Sequence, residues 1–561
     1  MSLFETKTAD NFIYEEAADP RDHISQSTPF LRKNVAYVVD QQAGNGSYTS
    51  GEVIIDSQAI AASGNMIDWR NAYVAAPINV KWDLTWAAAT GTITGGTGLA
   101  KYALALKNCS LLDSLKVEAN GKTIITATQG LSQLVNFKLL STMTPAALAK
   151  DGAVIGFAPD SQGVIADGGG VDSYNAGNDP LSSGLAGDDI FQYNKGLVER
   201  QGNFLPSQHS GFMSLANHQE EASTVDIGAG QINGTTAAQT PSDIHCVAII
   251  RLRDLHDYFD KHTLSRGVSY RFTLKFNQAV STLTHAASTS WGTSALPTIA
   301  TSQTSGSAQP AMFCCGGSSM LGRLTWVNSV AATSVITTAI DTTAATRFSG
   351  VRLYVPSFEL DPSHQEKLLA QPIVKRNFMD FMTQTTQTYA GAGSAINVQV
   401  STSATNPRAL IVIPRWSQTA TGNAGQGFYS ETSPLSTVPG STDSLLSLTN
   451  LQVKLGSNYV LPDRIFYSFQ QFQDHVAGIF AQNGDQTIQT SGLISKKSFE
   501  VNNRYYAFDL SRYPEAMSNL PQMVSLECKN NSQVAVELLC VLLYGRDVEF
   551  NLASGSMTIT A

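Results

Sequence analysis

The strongest constraint on this chain's fold is an internal match. Leu115-Lys-Val-Glu-Ala-Asn-Gly-Lys-Thr-Ile124 aligns without a gap with Leu451-Gln-Val-Lys-Leu-Gly-Ser-Asn-Tyr-Val460, so Leu115, Val117, Ala119 and Ile124 fall on Leu451, Val453, Leu455 and Val460. Each copy reads as a period-two strand running into a Gly/Asn turn. Each is followed by apolar residues at helical spacing: Leu131, Leu134, Val135 and Leu139 in the first, Phe469, Phe472, Val476 and Phe480 in the second. A Pro-containing strand precedes each copy, Ala72–Val80 and Ala409–Trp416, and two strands close each half, Tyr270–Phe276 with Val351–Leu360, and Met523–Lys529 with Val536–Phe550. Self-similarity at this range predicts two copies of one β-domain in tandem, with the seam near Asp361–Lys367. Chance recurrence of generic strand–turn–helix pieces is the competing explanation.

The rest of the chain repeats the strand pattern. In Tyr270–Phe276, Tyr270, Phe272, Leu274 and Phe276 share one face while Arg271, Thr273 and Lys275 share the other, as in a half-buried antiparallel strand. Glu52–Asp56, Val351–Val355, Ala395–Val400 and Leu410–Ile413 are similar short runs bounded by turn residues. Helical stretches between successive strands are mostly missing, which argues against a parallel sheet. The fold class is therefore all-β with a few short helices, built as two antiparallel sandwiches. Two long interruptions fall in the first half: 158–242, rich in Gly, Asp, Asn and Ser, and 281–346, rich in Ser, Thr and Ala. Their low charge predicts packed surface loops or small extra strands projecting from one end of a sandwich. Residues 1–48 read as an extended arm, 49–366 as the first domain, 367–552 as the second and 553–561 as a tail.

Composition narrows the function classes. Of 561 residues, 42% are hydrophobic and only 14% charged, which excludes an intrinsically disordered chain. The net charge of −9, with basic residues clustered no further than pairs such as Arg32-Lys33, Lys375-Arg376 and Lys496-Lys497, argues against coating nucleic acid by charge neutralisation. The start MSLFETKTADNFIYEE lacks the basic and apolar regions of a secretory signal, and no run is long and apolar enough to span a bilayer. Six scattered cysteines, with only Cys314 and Cys315 adjacent, form neither a disulfide scaffold nor a metal knuckle and read as reduced thiols.

A search for chemistry finds little. The densest acid/histidine patch is Arg253-Asp-Leu-His-Asp-Tyr-Phe-Asp-Lys-His262. On a helix Asp257 would pair with Lys261, and His256 would share a face with Asp260, a weak two-ligand arrangement where a metal site needs three or four groups. A short solvated helix is the expectation there. Gly168-Gly169-Gly170 sits among acids that would repel a phosphate, and the pairs Glu15-Glu16, Asp188-Asp189 and Glu220-Glu221 read as surface. Distant carboxylates on a β scaffold could serve a glycosidase, which sequence leaves open. Aromatic residues mostly occupy strand positions, where core packing is their default. No catalytic, cofactor-binding or metal-binding residue is expected, nor any cofactor, and the chain is read as a non-enzyme.

Taken in order, several segments resemble the double jelly-roll major capsid proteins of polinton-like viruses, adintoviruses and virophages, within the adenovirus-like capsid lineage. They are GEVIID followed by MIDWRNAYVAAPINV, then KNCSLLDSLKVEANGKTI, NFKLLSTMTPAALAKDGAVIGFAPDS, HCVAIIRLRDLHDYFDKHTLSRGVSYRFTLKFN and VRLYVPSFELDP in the first half. NPRALIVIPRW, SPLSTVPGSTDSLLSLTNLQVKLGSNYVL and VELLCVLLYGRDVEFNLASGSM follow in the second. The likeness runs through most of 51–557 and leaves out 1–48 and the two insertions. It implies two tandem jelly rolls standing perpendicular to a shell and homotrimers with a pseudo-hexagonal outline that tile an icosahedral virion capsid around double-stranded DNA. It further implies outward towers from the insertions, an inner arm that ties trimers, penton and minor capsid proteins as partners, and no sequence-specific DNA binding. A tandem β-sandwich attachment or glycan-binding protein is the alternative, for which exposed aromatic clusters in loops would be the cue.

Overall fold

The computed structural model describes residues 30–40, 48, 50–86, 104–106, 111–126, 129–159, 242–262, 264–285, 298–306, 311–314, 332–340, 350–370, 372–391, 393–416, 435–436, 446–460, 466–479, 491–501, 503–513, 520–532, 535–552 and 554–560. The first half begins with β1 (Phe30–Val39), β2 (Glu52–Asp56), α1 (Gln58–Ala61), β3 (Met66–Asp68), β4 (Tyr73–Trp86), β5 (Leu104–Leu106), β6 (Leu112–Ala119), β7 (Lys122–Ile125), α2 (Leu131–Thr142) and α3 (Pro145–Ile155). It continues with β8 (Ser242–Arg251), α4 (Leu252–Leu255), α5 (Asp257–Asp260), β9 (Leu264–Ser265), β10 (Tyr270–Phe276), β11 (Gln278–His285), β12 (Thr298–Ser305), β13 (Ala311–Cys314), β14 (Ala332–Ile340) and β15 (Arg352–Leu360). A linking helix, α6 (Pro362–Ala370), leads to β16 (Ile373–Thr385), β17 (Ala395–Ala404), β18 (Pro407–Trp416), β19 (Leu435–Ser436), β20 (Leu448–Leu455) and β21 (Asn458–Tyr459). Then come α7 (Phe469–Ile479), α8 (Lys496–Val501), β22 (Tyr506–Asp509), β23 (Gln522–Asn530), β24 (Val536–Asn551) and β25 (Met557–Thr560).

Strand order shows the duplication directly. The first half contains β1-β15-β4-β8 in one sheet and β2-β10-β6-β7 in the other; the second contains β16-β24-β18-β22 and β17-β23-β20-β21. Lettering eight strands of each half B to I in chain order, both read B-I-D-G over C-H-E-F, which is the jelly-roll arrangement. The matched segments of the sequence occupy equivalent places, as the E–F hairpins β6-β7 and β20-β21. Asn120 (φ 47°) and Gly121 (φ 79°) make the first turn left-handed at both centres, which suits the twist of a tight hairpin, and Gly456 (φ 59°) serves the second.

Core alternation follows the sequence pattern. Tyr270, Phe272, Leu274 and Phe276 of β10 are fully buried while Arg271 is exposed. In the facing sheet, Val74, Ala76, Leu353 and Val355 point into the same core, and Tyr73 and Tyr354 lie on the opposite face. Both helical spacings form helices, as α2 and α7, and a further helix follows α2: Thr144 caps α3 by accepting from the Ala147 N–H, Pro145 opens the helix and Gly156 closes it in the left-handed region.

Several stretches carry more structure than their composition suggested. Residues 30–39, inside the segment read as an arm, form β1, which pairs antiparallel along β15 and supplies the B strand of the first sandwich. Its Arg-Lys-Asn run hides the alternation, because only Ala36 and Val38 pack partly against the core. The second insertion supplies β14, paired with the upper half of β4, and β11 and β12 beyond it, so that the sheet extends past the sandwich. Within the tail, β25 folds back on β24. Residues 1–29, 160–241, 286–297, 307–310, 315–331 and 341–349, as well as Phe480, lie outside the described residues.

Successive strands of a jelly roll run in alternate directions, so the B–C, D–E, F–G and H–I connections all leave from one end. Three such connections meet in a small sheet: β5 from the first D–E, β13 from the first H–I and β19 from the second D–E, with β13 antiparallel to β5 and parallel to β19. Both sandwiches therefore present the same end to the same side of the molecule.

Candidate functional site: the seam between the two sandwiches

One apolar core runs through both halves, and the place where it crosses from one to the other is built mainly by α2. Leu131, Leu134, Val135 and Leu139 are buried, as the helical spacing predicts, but so are Ser132, Gln133, Asn136 and Ser141 on the polar side. The reason is a second neighbour: α2 also lies on the outer face of the second sandwich's B-I-D-G sheet. Its start approaches Leu539 of β24 so closely that a Cβ on Gly130 would lie 3.0 Å from that side chain. Gln133 accepts from Arg415 of β18 at 3.4 Å, Asn136 donates to the Tyr505 hydroxyl at 3.2 Å, and the Phe137 ring meets Tyr505 edge-on at 5.0 Å. Ahead of the helix, Thr383 of β16 donates to the Gln129 carbonyl at 2.8 Å. Gln133 and Asn136 thus find partners across the seam, while the Ser141 hydroxyl donates to the Phe137 carbonyl within the helix at 2.7 Å.

A second contact is built by the acid/histidine patch. The expected solvated helix is instead two short helices, α4 and α5, wedged against β16 and β24. Lys261 and Asp257 do pair, at 3.0 Å, and Asp257 also accepts from the Met379 N–H at 2.8 Å. Asp260 faces Arg70 at 3.6 Å and is not brought together with His256. His256 is buried; its Nδ1 accepts from the Tyr258 N–H at 3.1 Å, which leaves the ring proton on Nε2, 3.3 Å from Asp380 Oδ1. Asp380 Oδ2 accepts from Arg546 at 2.8 Å and from the Tyr544 hydroxyl at 3.0 Å. Burial opposes charge on Asp380, but His256, Arg546 and the Phe381 N–H together outweigh it and hold the carboxyl below its ordinary range. Burial, and then the Asp380 carboxylate, push the Tyr544 hydroxyl upward.

Beside this network Tyr258 stacks edge-on against Phe378 at 5.2 Å and shares a 2.7 Å hydroxyl contact with Tyr270, which His262 meets at 2.8 Å. Lower down, Arg546 donates to the Ile124 carbonyl at 2.7 Å, and Asn120 of the E–F turn donates to the Gly555 carbonyl at 2.8 Å. There a Cβ on Gly555 would lie 2.5 Å from the Gly267 carbonyl, so only glycine fits. Charge, hydrogen bonds and ring packing all fix the angle between the sandwiches.

This cluster does not have the layout of a catalytic centre. The histidine and both sides of its carboxylate partner are spent on structure, and among the described residues no group of three or more His, Cys, Asp or Glu could hold a metal ion. Cys528 and Cys540 are buried free thiols, and burial pushes both up to about 12, so neither is a ready nucleophile at neutral pH. Among the described residues no helix is long and apolar enough to cross a membrane. Glu15-Glu16, Gly168-Gly169-Gly170, Asp188-Asp189 and Glu220-Glu221 lie outside the described residues. Asp380 and Arg546 escaped sequence reasoning; the available signal was a lone acid inside the apolar run Phe378-Met-Asp-Phe-Met382.

No protein-family model matches the chain, and no curated protein matches it in sequence. Among solved structures it is similar to a chain of the Sputnik virophage, with 13% identity over 97% of this chain and 92% of that one and a TM-score of 0.49. It is similar to the mavirus major capsid protein, with 9% identity over 94% and 90% and a TM-score of 0.45. The Faustovirus major capsid protein follows, with 13% identity over 96% of this chain and 98% of that chain and a TM-score of 0.46.

Proposed function

We propose that the chain is the major subunit of an icosahedral virus shell, in which three copies form a pseudo-hexagonal capsomer and capsomers tile around a double-stranded DNA genome. The observation that carries this reading is the pair of complete jelly rolls locked at a bonded seam with the same end on the same side. Three such chains closed in a ring present six like-oriented sandwiches, so a threefold object can meet six neighbours on a surface. The ordered resemblance of segments across 51–557 points the same way. A charged fraction of 14% suits a molecule with large subunit contacts, because interface cores deplete charge.

In this reading the F–G insertion at 158–242 and the H–I insertion at 281–346 leave from the end where β5, β13 and β19 meet and form the outward towers. The arm within 1–48 lies inside and ties trimers, while 49–366 and 367–552 make up the bulk of the two sandwiches and 553–561 closes the base. The chain acts as structure and not as an enzyme, resides in the virion, and meets penton and minor capsid proteins. An acidic subunit without basic clusters leaves genome contact to other, more basic proteins.

Light scattering on the purified protein, followed by negative-stain imaging of the same fraction, tests the reading. Particles of three times the chain mass with a hexagonal outline are expected. A protein that stays monomeric and never assembles would overturn it and turn attention to glycan binding.

A further inference from the structure

The outer face of the second B-I-D-G sheet is covered inside the chain, whereas among the described residues its counterpart in the first sandwich stays open at Leu31, Val35 and Tyr37. On the second sheet α2 and the residue ahead of it, Gln129, lie over Leu539, Arg415 and Thr383. On the first sheet the same face carries Tyr37, Tyr354 and Tyr73 as a row of rings, with centroids 5.8 Å and 5.2 Å apart. Large apolar side chains lie open beside that row: Leu31 is 62% exposed, Val35 54% and Tyr37 57%. A face of tyrosine and aliphatic residues left in water is characteristic of an interface.

The duplicated topology says what covers it. The equivalent of α2 in the second sandwich is α7, and the equivalent of Gln129 lies in the connection between β21 and α7. That connection carries Phe466, which is 77% exposed. Gln129 touches the B strand of the second sandwich at Thr383, so the duplicate contact would bring Phe466 to the B strand of a first sandwich. Among the described residues of one chain the seam is already used, so the duplicate contact falls to another copy.

We propose that the trimer contact is a second use of the intrachain seam, in which Phe466 and the start of α7 of one copy settle on Val35 and Tyr37 of the next. The contact is heterologous, and alternation of seam and contact closes the ring after three chains. The assignment rests on the trimer reading above and names its contact surface.

The test compares the solution mass of wild type with that of V35D/Y37D and of F466D, alongside circular dichroism and unfolding midpoints. Because all three side chains are exposed, both variants are expected to keep the fold and fall from trimer to monomer at micromolar concentration. If wild type is trimeric and both folded variants remain so, this contact is wrong and the trimer reading stands; if wild type is itself monomeric, both fall. As a second measure, the Y37C/F466C variant oxidised with copper–phenanthroline should give covalently linked copies on a non-reducing gel, with neither single variant doing so. A monomer band alone from a trimeric Y37C/F466C protein would overturn the contact.

Discussion

His256 Nε2 lies 3.3 Å from Asp380 Oδ1 across the seam, with both side chains only 1% exposed. The two residues come from different sandwiches and are 124 positions apart in sequence. An ion-pairing group this deep is tolerated only where its partners satisfy it, and Asp380 has His256, Arg546, Tyr544 and the Phe381 N–H. The network is therefore a lock whose parts come from both sandwiches, and it holds only when they meet at one angle.

Asp380→Asn places amide donors against donors and removes the charge that Arg546 faces. It should cost about 3–5 kcal/mol of stability at neutral pH, measured by urea unfolding. The pH dependence has a definite sign. The folded carboxyl titrates below its usual value of 3.8, so its contribution is fully present above that value and is lost as pH falls through the lower, folded one. The gap between wild type and Asp380→Asn should therefore be constant from pH 7 to about pH 5 and shrink below pH 4. A gap unchanged at pH 2.5 would mean that the charge on Asp380 contributes nothing.

Phe137 reaches Tyr505 at 5.0 Å and Phe472 at 6.4 Å, and is fully buried. Because the core is continuous through it, the two sandwiches should unfold in one calorimetric transition in the wild-type protein. Phe137→Ala removes the ring from the crossing point and should lower stability by about 3–5 kcal/mol. Two well-separated transitions in the wild type would show that the halves are stable independently and that the seam is merely a contact.

Gly492 and Gly393 both have positive φ, 63° and 92°, yet differ in surroundings. A Cβ on Gly492 would sit 2.5 Å from the Ser141 backbone at the end of α2, whereas one on Gly393 meets nothing within 4 Å. Gly393→Ala should cost only the backbone strain, about 1–2 kcal/mol. Gly492→Ala adds a clash with main-chain atoms and should cost clearly more, seen as a larger drop in the thermal midpoint. Equal effects would mean that the seam yields easily at this point.

The sheets were largely legible because their signals are local. The alternation in Tyr270–Phe276, the Asn120-Gly121 turn and the helical spacing of Leu131, Leu134, Val135 and Leu139 all depend on residues within a few positions of one another. The seam was not, because its logic is nonlocal. Arg253, Asp254, Asp257 and Lys261 give a solvated pattern, and what buries His256 and Tyr258 among them is a sheet that begins more than a hundred residues later. In the same way α2 reads as amphipathic against one neighbour, while Gln133, Asn136 and Ser141 are buried by a second. The B strand escaped notice because Arg32, Lys33 and Asn34 face water at a sheet edge, where alternation is weakest.

That edge strand makes truncation informative. β1 forms a ladder along β15 from Phe30 to Val39, sets Ala36 and Val38 against the core, and is followed by Asp40, whose carboxylate accepts from the Val351 N–H at 2.9 Å. Removing residues 1–29 spares all of this, so the midpoint of unfolding should not move, while shell formation, scored by electron microscopy, should weaken if the arm ties trimers. Removing 1–39 strips the B strand, leaves the donors and acceptors of β15 unpaired, and should cost at least ~2 kcal/mol in lost apolar burial and backbone bonds. It would also erase the open face that carries Val35 and Tyr37, so trimers should be lost with it. A protein lacking 1–39 that unfolds at the wild-type midpoint would show that the first sandwich is complete without β1.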